Sequence, residues 1–362
     1  MLRTRLLPSL LERPMGFVTW LVMRLILVPL NLRELPLKTV NQSNELRSSG
    51  IKHATIIGGG VIGASWAALF LANDLSVTIN DPDPDIAGKV EAVINGAIPA
   101  LRGLGYQTSA LTDRLSFDGN LAAAVASTDL IQECGPERAD FKQDLWRRIE
   151  QVAPQNALLL SSSSSIPASV QNAEMSEPGR LIIGHPFNPP HLMPLVEVVP
   201  TDKSDASTVA RVLSFYRGIG KIALELKKEI PGFVANRLQA AIFRECMYLV
   251  REKVVTMRDL DDIVTSSLGV RWATNGPFLS FHLGGGEGGM THFVEHLGKG
   301  GMEKLWATFG DVSFDDATCR LLIEQASEFY GGSSIDALAE DRDTKEVAIL
   351  NALASVANST NT

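Results

Sequence analysis

The stretch that most restricts this chain is Ala54-Thr55-Ile56-Ile57, then Gly58-Gly59-Gly60-Val61-Ile62-Gly63, then the apolar run Ala64 to Ala72. The first segment is β-branched and apolar, and the last is rich in Ala and Leu, so the order is strand, glycine turn, helix. Gly58 allows the tight turn, Gly60 lets a pyrophosphate approach the backbone, and Gly63 lets the helix pack on the strand. The phosphates would rest on the first free N–H groups of the helix, at Val61 and Ile62. The next strand, Ser76 to Asn80, ends at Asp81, 23 residues after Gly58. A carboxylate there can take the ribose hydroxyls of a dinucleotide. Pro82 and Asp83 follow, with no Arg nearby to accept a 2′-phosphate. The reading is NAD rather than NADP. FAD remains a competitor, and a glycine turn without a ligand is the bland alternative.

Strands and helices then alternate from Lys52 to about Glu229 and stop. The spacing predicts helix over Ile86–Leu121, Phe141–Val152 and Ser207–Ile219. Strands are expected at Asp129–Cys134, Ala157–Leu160, Leu181–Ile183, Val196–Val199 and Lys221–Leu226. Beyond Pro231 the pattern is helical: Phe233–Lys253, Met257–Ser267 capped by Thr256, and Phe314–Val356 divided at Gly331-Gly332. Gly284 to Gly289 reads as a glycine-rich loop. The expected fold is an α/β Rossmann-type doubly wound sheet followed by an all-α C-terminal domain. The expected division is 1–50 as an extension and linker, 51–230 as the dinucleotide domain and 231–362 as the helical domain.

Gly184-His185-Pro186-Phe187-Asn188-Pro189-Pro190 places a histidine where a buried strand ends, before prolines that force an extended loop. Glu197 lies inside the next apolar strand. A carboxylate there is costly unless paired, and an imidazole is a ready partner, oriented and made more basic by the contact. The alternative is a loop His and an edge-strand Glu that never meet. The run Ser161 to Ser165 also ends a buried strand. In a doubly wound sheet that position faces the ligand crevice, whereas the bland reading is a flexible linker.

A net charge of −8 argues against nucleic acid as the main partner. Three separated cysteines give no disulfide framework and no CxxC, as in a reducing compartment. Seven of the basic residues and three of the acids fall in the first fifty positions. That segment reads as an N-terminal extension for which targeting or membrane contact is an alternative, not the favoured one; a cytoplasmic location is favoured. His292-Phe293-Val294-Glu295-His296 spells H-x-x-E-H, which would put two zinc ligands on one helix face. No third ligand stands out, and the expectation is no metal.

Five blocks, in order, resemble the 3-hydroxyacyl-CoA dehydrogenase superfamily over roughly Ile51 to Leu353. They are the glycine turn; Gln132-Glu133-Cys134-Gly135-Pro136-Glu137; the serine run; His185 through Glu197; and Lys228 through Leu238. The nearest branches are the lambda-crystallin/L-gulonate 3-dehydrogenases and the carnitine 3-dehydrogenases. The resemblance implies NAD-dependent oxidation of an L-3-hydroxy acid, with its CoA thioester as the alternative substrate; zinc hydrolysis through His292 and His296, read from the H-x-x-E-H motif and not from the resemblance, is a remote alternative. It implies His185 as base, Glu197 as its orienting carboxylate, and Ser164 and Asn236 as donors to the reacting oxygen. Glu137 joins Gly58, Gly60, Val61, Ile62, Gly63 and Asp81 as a cofactor-binding candidate. Ser163, Arg237 and Arg271 are substrate candidates, the arginines as carboxylate partners. Trp272, Phe278 and Phe281 are read as core or dimer contacts, or else as an aromatic wall for a quaternary ammonium. A homodimer is expected.

Overall fold

The structure is a computed structural model that describes Leu46 and residues 49–359. The N-terminal extension expected from sequence lies almost wholly outside the described residues. Eight strands form one sheet in the order β3-β2-β1-β4-β5-β6-β7-β8. They are β1 His53–Ile57, β2 Ser76–Asn80, β3 Leu115–Phe117, β4 Leu130–Glu133, β5 Leu158–Ser161, β6 Leu181–Pro186, β7 Leu195–Val199 and β8 Ile222–Glu225. Neighbours pair in parallel except β6 and β7, which run antiparallel. Helices α1 Val61–Ala72, α2 Ile86–Gly103, α3 Ala139–Glu150 and α4 Ala206–Gly218 connect the strands. Two apolar clusters fill the sheet's faces. One holds Trp66, Phe70, Ile94, Phe215 and Tyr216; the other holds Trp146, Ile149, Leu159, Ile183 and Phe233. Strands buried on both faces read as unbroken apolar runs, which is why they stood out in the sequence.

The chain leaves the first pair on one side (β1 to β2) and returns on the other (β1 beside β4). The sheet order therefore reverses between β1 and β4, and a ligand crevice opens beyond the carboxyl ends at such a point. The sequence reading of Ile86–Leu121 as helix needs correction. Helix α2 stops at Gly103, Gly105 takes φ +85, and Leu115–Phe117 forms β3 against β2. Three residues are too few to show a period of two, so the strand left no pattern to read.

After β8 no further strand occurs among the described residues. Helices α5 Ala235–Arg251, α6 Met257–Val264, α7 Asp316–Tyr330 and α8 Ile335–Ser359 carry the C-terminal part, with shorter turns of helix between α6 and α7. Thr256 caps α6 by accepting from the Asp259 N–H at 3.2 Å. The helix of residues 257–264 then passes into a wider turn, Thr265–Gly269. Gly286–Gly288, read as loop, forms a short 3₁₀ turn. No helix among the described residues is long and apolar enough to cross a membrane.

Candidate active site

The glycine turn has separate steric demands. Gly58 has φ +93, and a Cβ there would lie 2.8 Å from the Cys134 carbonyl oxygen, just past the end of β4 across the switch point. A Cβ on Gly63 would meet the Gly58 oxygen at 1.9 Å. Gly60, by contrast, faces open space. It is the N-cap of α1, offers no side-chain cap, and the first turn holds no acid. The leading N–H groups at Val61 and Ile62 thus lack an internal anion, and the open approach at Gly60 fits a pyrophosphate. Asp81 sits at the end of β2, its Oδ2 accepting from the Gly59 N–H at 2.7 Å and its Oδ1 from Asp83 at 2.9 Å. The carboxylate is thereby fixed beside the turn, where a ribose would lie.

The antiparallel register sets His185 directly opposite Glu197. Directly opposed residues share a face and bring their side chains together. His185 Nδ1 and Glu197 Oε2 are 2.8 Å apart, and both side chains are buried. The other carboxylate oxygen, Oε1, accepts from the N–H groups of Val234 and Ala235, each at 3.0 Å. These donors open α5, so the helix's positive end faces the buried charge. Burial pushes the Glu197 pKa up, but the bonds from His185, Ala235 and Val234 outweigh it and leave the group below its ordinary value. Glu197 therefore stays ionised and orders the imidazole with its proton on Nδ1. The lone pair is left on Nε2, which has no hydrogen-bond partner among the described residues.

Sequence reasoning did not single out Phe233. Its ring lies 5.4 Å from the His185 ring, and Phe187 lies 5.5 Å away on the same imidazole. Phe233 is fully buried at φ +50, directly after Gly232 at φ +73. A bulky residue in the left-handed region is strained by roughly 1–3 kcal/mol. The turn that aims Phe233 at the imidazole also delivers the Val234 and Ala235 N–H groups to Glu197. The Pro231-Gly232 pair ahead of α5 was the readable signal.

The serine run closes the crevice at the end of β5. Ser161 Oγ donates to Glu133 Oε2 at 2.6 Å. Ser162 Oγ accepts from Trp66 Nε1 at 3.2 Å and Gln132 Nε2 at 2.8 Å. Ser163 and Ser165 donate their hydroxyls to Glu137 Oε1 at 2.5 and 2.9 Å. Only the Ser164 hydroxyl has no partner among the described residues; its N–H bonds Glu137 Oε1 at 3.1 Å. Ser163 is a poor match to the substrate contact expected of it, because its buried oxygen also accepts from the Ile166 N–H at 3.0 Å. Glu137, expected beside the cofactor, gathers the serine loop. Burial raises its pKa, and the bonds from Ser163 and Ser165 together with the Lys142 charge bring it below the ordinary value.

Asn236 follows Ala235 on the first turn of α5. With Pro231, Gly232, Arg237 and Ala240 it lines a cavity of about 390 Å³, and its amide has no partner among the described residues. Arg237 and Arg271 are exposed and pair with no acid among the described residues. A second cleft, of about 580 Å³, is lined by Phe187, Ala235, Phe243, Trp272 and Tyr330 among others. Phe278 is 81% and Phe281 37% exposed, so neither is core; Phe281 stacks on Phe293 at 4.7 Å. His292 and His296 stack on each other at 4.3 Å, and no group of three His, Cys, Asp or Glu residues suited to a metal occurs among the described residues.

Comparison with known proteins bears on this geometry. Residues 53–230 match the NAD binding domain of 3-hydroxyacyl-CoA dehydrogenase, and residues 232–312 match its C-terminal domain. The chain is 38% identical to an L-carnitine dehydrogenase of Streptomyces coelicolor over 302 residues, covering 83% of this chain and 95% of that protein. An L-carnitine dehydrogenase of Pseudomonas aeruginosa is 38% identical over 303 residues, 84% and 94% of the two chains. Among solved structures, an NAD-dependent 5-formyl-3-hydroxy-2-methylpyridine 4-carboxylic acid 5-dehydrogenase superposes with TM-score 0.72 at 30% identity, covering 84% of this chain and 98% of that one.

Proposed function

The chain belongs to the 3-hydroxyacyl-CoA dehydrogenase family, and from that premise we propose that it oxidises the 3-hydroxyl of a carnitine-like L-3-hydroxy acid, with His185 as base. It is an NAD-dependent dehydrogenase acting on CH–OH donors. When bound, NAD supplies the acceptor for the hydride. Gly58, Gly60, Val61, Ile62, Gly63 and Asp81 would hold it, in the cradle where Gly60 leaves space and the helix N-terminus lacks an anion.

The observation that carries the proposal is the free Nε2 of an imidazole held by a buried, ionised carboxylate. Such a nitrogen takes the hydroxyl proton as the alcohol becomes a carbonyl, and Glu197 stabilises the cation that forms. Two uncommitted polar groups suit the reacting oxygen: the Ser164 hydroxyl and the Asn236 amide. Phe187 and Phe233 flank the imidazole and give it an apolar surround. A trimethylammonium group two carbons from the hydroxyl would lie against Phe187, at the mouth of the aromatic cleft. Arg237 or Arg271 then serves the carboxylate. A CoA thioester finds less support, since Lys89 of α2 is spent on Asp83. We retain 51–230 as the cofactor domain and 231–362 as the helical domain of a cytoplasmic homodimer.

The test is NADH formation at 340 nm with L-carnitine, L-gulonate, 3-hydroxybutyrate and 3-hydroxybutyryl-CoA. The expected kcat/KM is highest for L-carnitine. A higher value for the thioester would overturn the free-acid reading, and no turnover of any of the four would overturn the carnitine-like assignment.

A further inference from the structure

The proposed chemistry uses one hydroxyl of the serine run, yet an ionic cluster with no part in it lies directly beneath. Lys142 reaches in from α3 and is 1% exposed, and Glu133 at the end of β4 is fully buried. The ammonium contacts both Glu133 oxygens, at 2.7 and 2.8 Å. It also lies 3.4 Å from Glu137 Oε2. The two carboxylates divide the serine loop between them. Glu133 takes the Ser161 hydroxyl and the Gly135 N–H through its side chain, and the Ser162 N–H through its main-chain carbonyl. Glu137 takes the hydroxyls of Ser163 and Ser165 and the N–H groups of Ser164 and Ser165. One ammonium thus ties together both carboxylates that hold the loop.

A buried ion pair is weak evidence for stability, because desolvating two charges offsets most of their attraction. What this cluster does provide is geometry. Without the ammonium, two carboxylates would face each other under the loop, and each would draw away toward water. Resting on the reading that Ser164 contacts the reacting oxygen, we propose that Lys142 is a positioning residue: it locks Glu133 and Glu137 in place, and they hold the hydroxyls of Ser161, Ser163 and Ser165 so that the Ser164 hydroxyl stays uncommitted.

Lys142→Met by itself strands a buried carboxylate, so the main variant is Lys142→Met with Glu133→Gln, which removes both buried charges at similar volume. Hydrogen exchange of a peptide spanning residues 161–166 should quicken at least about tenfold, the worth of one lost charge-assisted bond. NAD affinity by calorimetry should stay within about threefold, because the glycine turn is untouched. Turnover of L-carnitine should fall about 10- to 100-fold, with the loss in kcat rather than KM, as for a donor displaced by an ångström. In a Ser164→Ala background the same pair of changes should cost less than about threefold more, since both act through one hydroxyl. Glu137→Gln, at a half-exposed site, gives an independent arm: exchange should quicken at Ser164 and Ser165 but not at Ser162.

Unchanged exchange across the loop in the double variant and in Glu137→Gln would overturn the proposal. So would full additivity with Ser164→Ala, because that is the signature of a general structural defect. Should Ser164→Ala alone leave turnover intact, the donor role of Ser164 fails, while the exchange measurement still decides whether Lys142 holds the loop.

Discussion

The sheet half and the helical half of this chain complete their side-chain environments differently. At the carboxyl ends of β4 to β6, buried polar groups find partners within the chain: Lys142 with Glu133, His185 with Glu197 of the antiparallel β7, and four of five serine hydroxyls with donors or acceptors. From Ala235 onward the large apolar residues tell the opposite story. Met247, Val250 and Leu260 are buried, but Leu238 is 56%, Phe243 51%, Ile263 54% and Phe278 81% exposed. Exposed apolar side chains of this size, where they are contiguous, suit a face that a partner covers, and the homodimer proposed above would use them. The contrast sets a histidine–carboxylate pair completed within one chain against a helical half that leaves large apolar side chains exposed.

The largest effect would test the self-contained half. His185→Gln should lower turnover by about two to four orders of magnitude, the usual worth of a general base. NAD affinity should stay near the parent value. Unchanged turnover, measured as initial rates at 340 nm, would break the comparison by removing its chemical side.

The next test addresses the unfinished half. Phe243→Asp should weaken self-association by about 30-fold or more, the cost of an interface anchor of roughly 2 kcal/mol or above. Analytical ultracentrifugation across a concentration series reads this directly. A parent protein that sediments as a monomer at micromolar concentration would show that the exposed apolar face is not a self-interface.

The smallest effect sharpens the account of burial in the sheet half. His191 is buried, with Nδ1 on Ser65 at 2.9 Å and Nε2 4.0 Å from Asp343. Burial lowers its pKa to about 4, with the Lys221 and Arg342 charges acting in the same direction and Asp343 opposing. Between its ordinary value of 6.5 and about 4, the unfolded chain binds a proton that the folded chain refuses. Stability is therefore retained above about pH 6.5 and declines as pH falls toward 4, by roughly 3 kcal/mol for the full displacement. Melting temperatures over that window should fall less steeply in His191→Asn; an identical slope would assign the loss to other groups. Lys221, buried with its ammonium on the Pro190 and Met193 carbonyls, has its pKa lowered to about 7 by burial. Its charged form is penalised at low pH, so its contribution rises as pH climbs from about 7 toward 10.5.

Much of the fold was legible because local residues carry their own constraints. The strand, glycine turn and helix at 54–72 can be read from sterics, since Gly58 and Gly63 tolerate no Cβ where the backbone must pass. The halt in strand patterns at Pro231 was equally plain. Strand β3 was not, being three residues at an edge. Lys142 falls inside the segment whose spacing predicts a helix, and nothing local marks it as buried.

Sequence by itself determined the dinucleotide cradle, the alternation of elements and the presence of a histidine at a strand's end. Tertiary structure alone decided that β6 and β7 run antiparallel in the register that sets His185 against Glu197. It alone decided which of five identical serines keeps its hydroxyl free. The reason is physical: a residue's backbone freedom is its own property, whereas a polar group's partner depends on what the fold carries to it from distant parts of the chain.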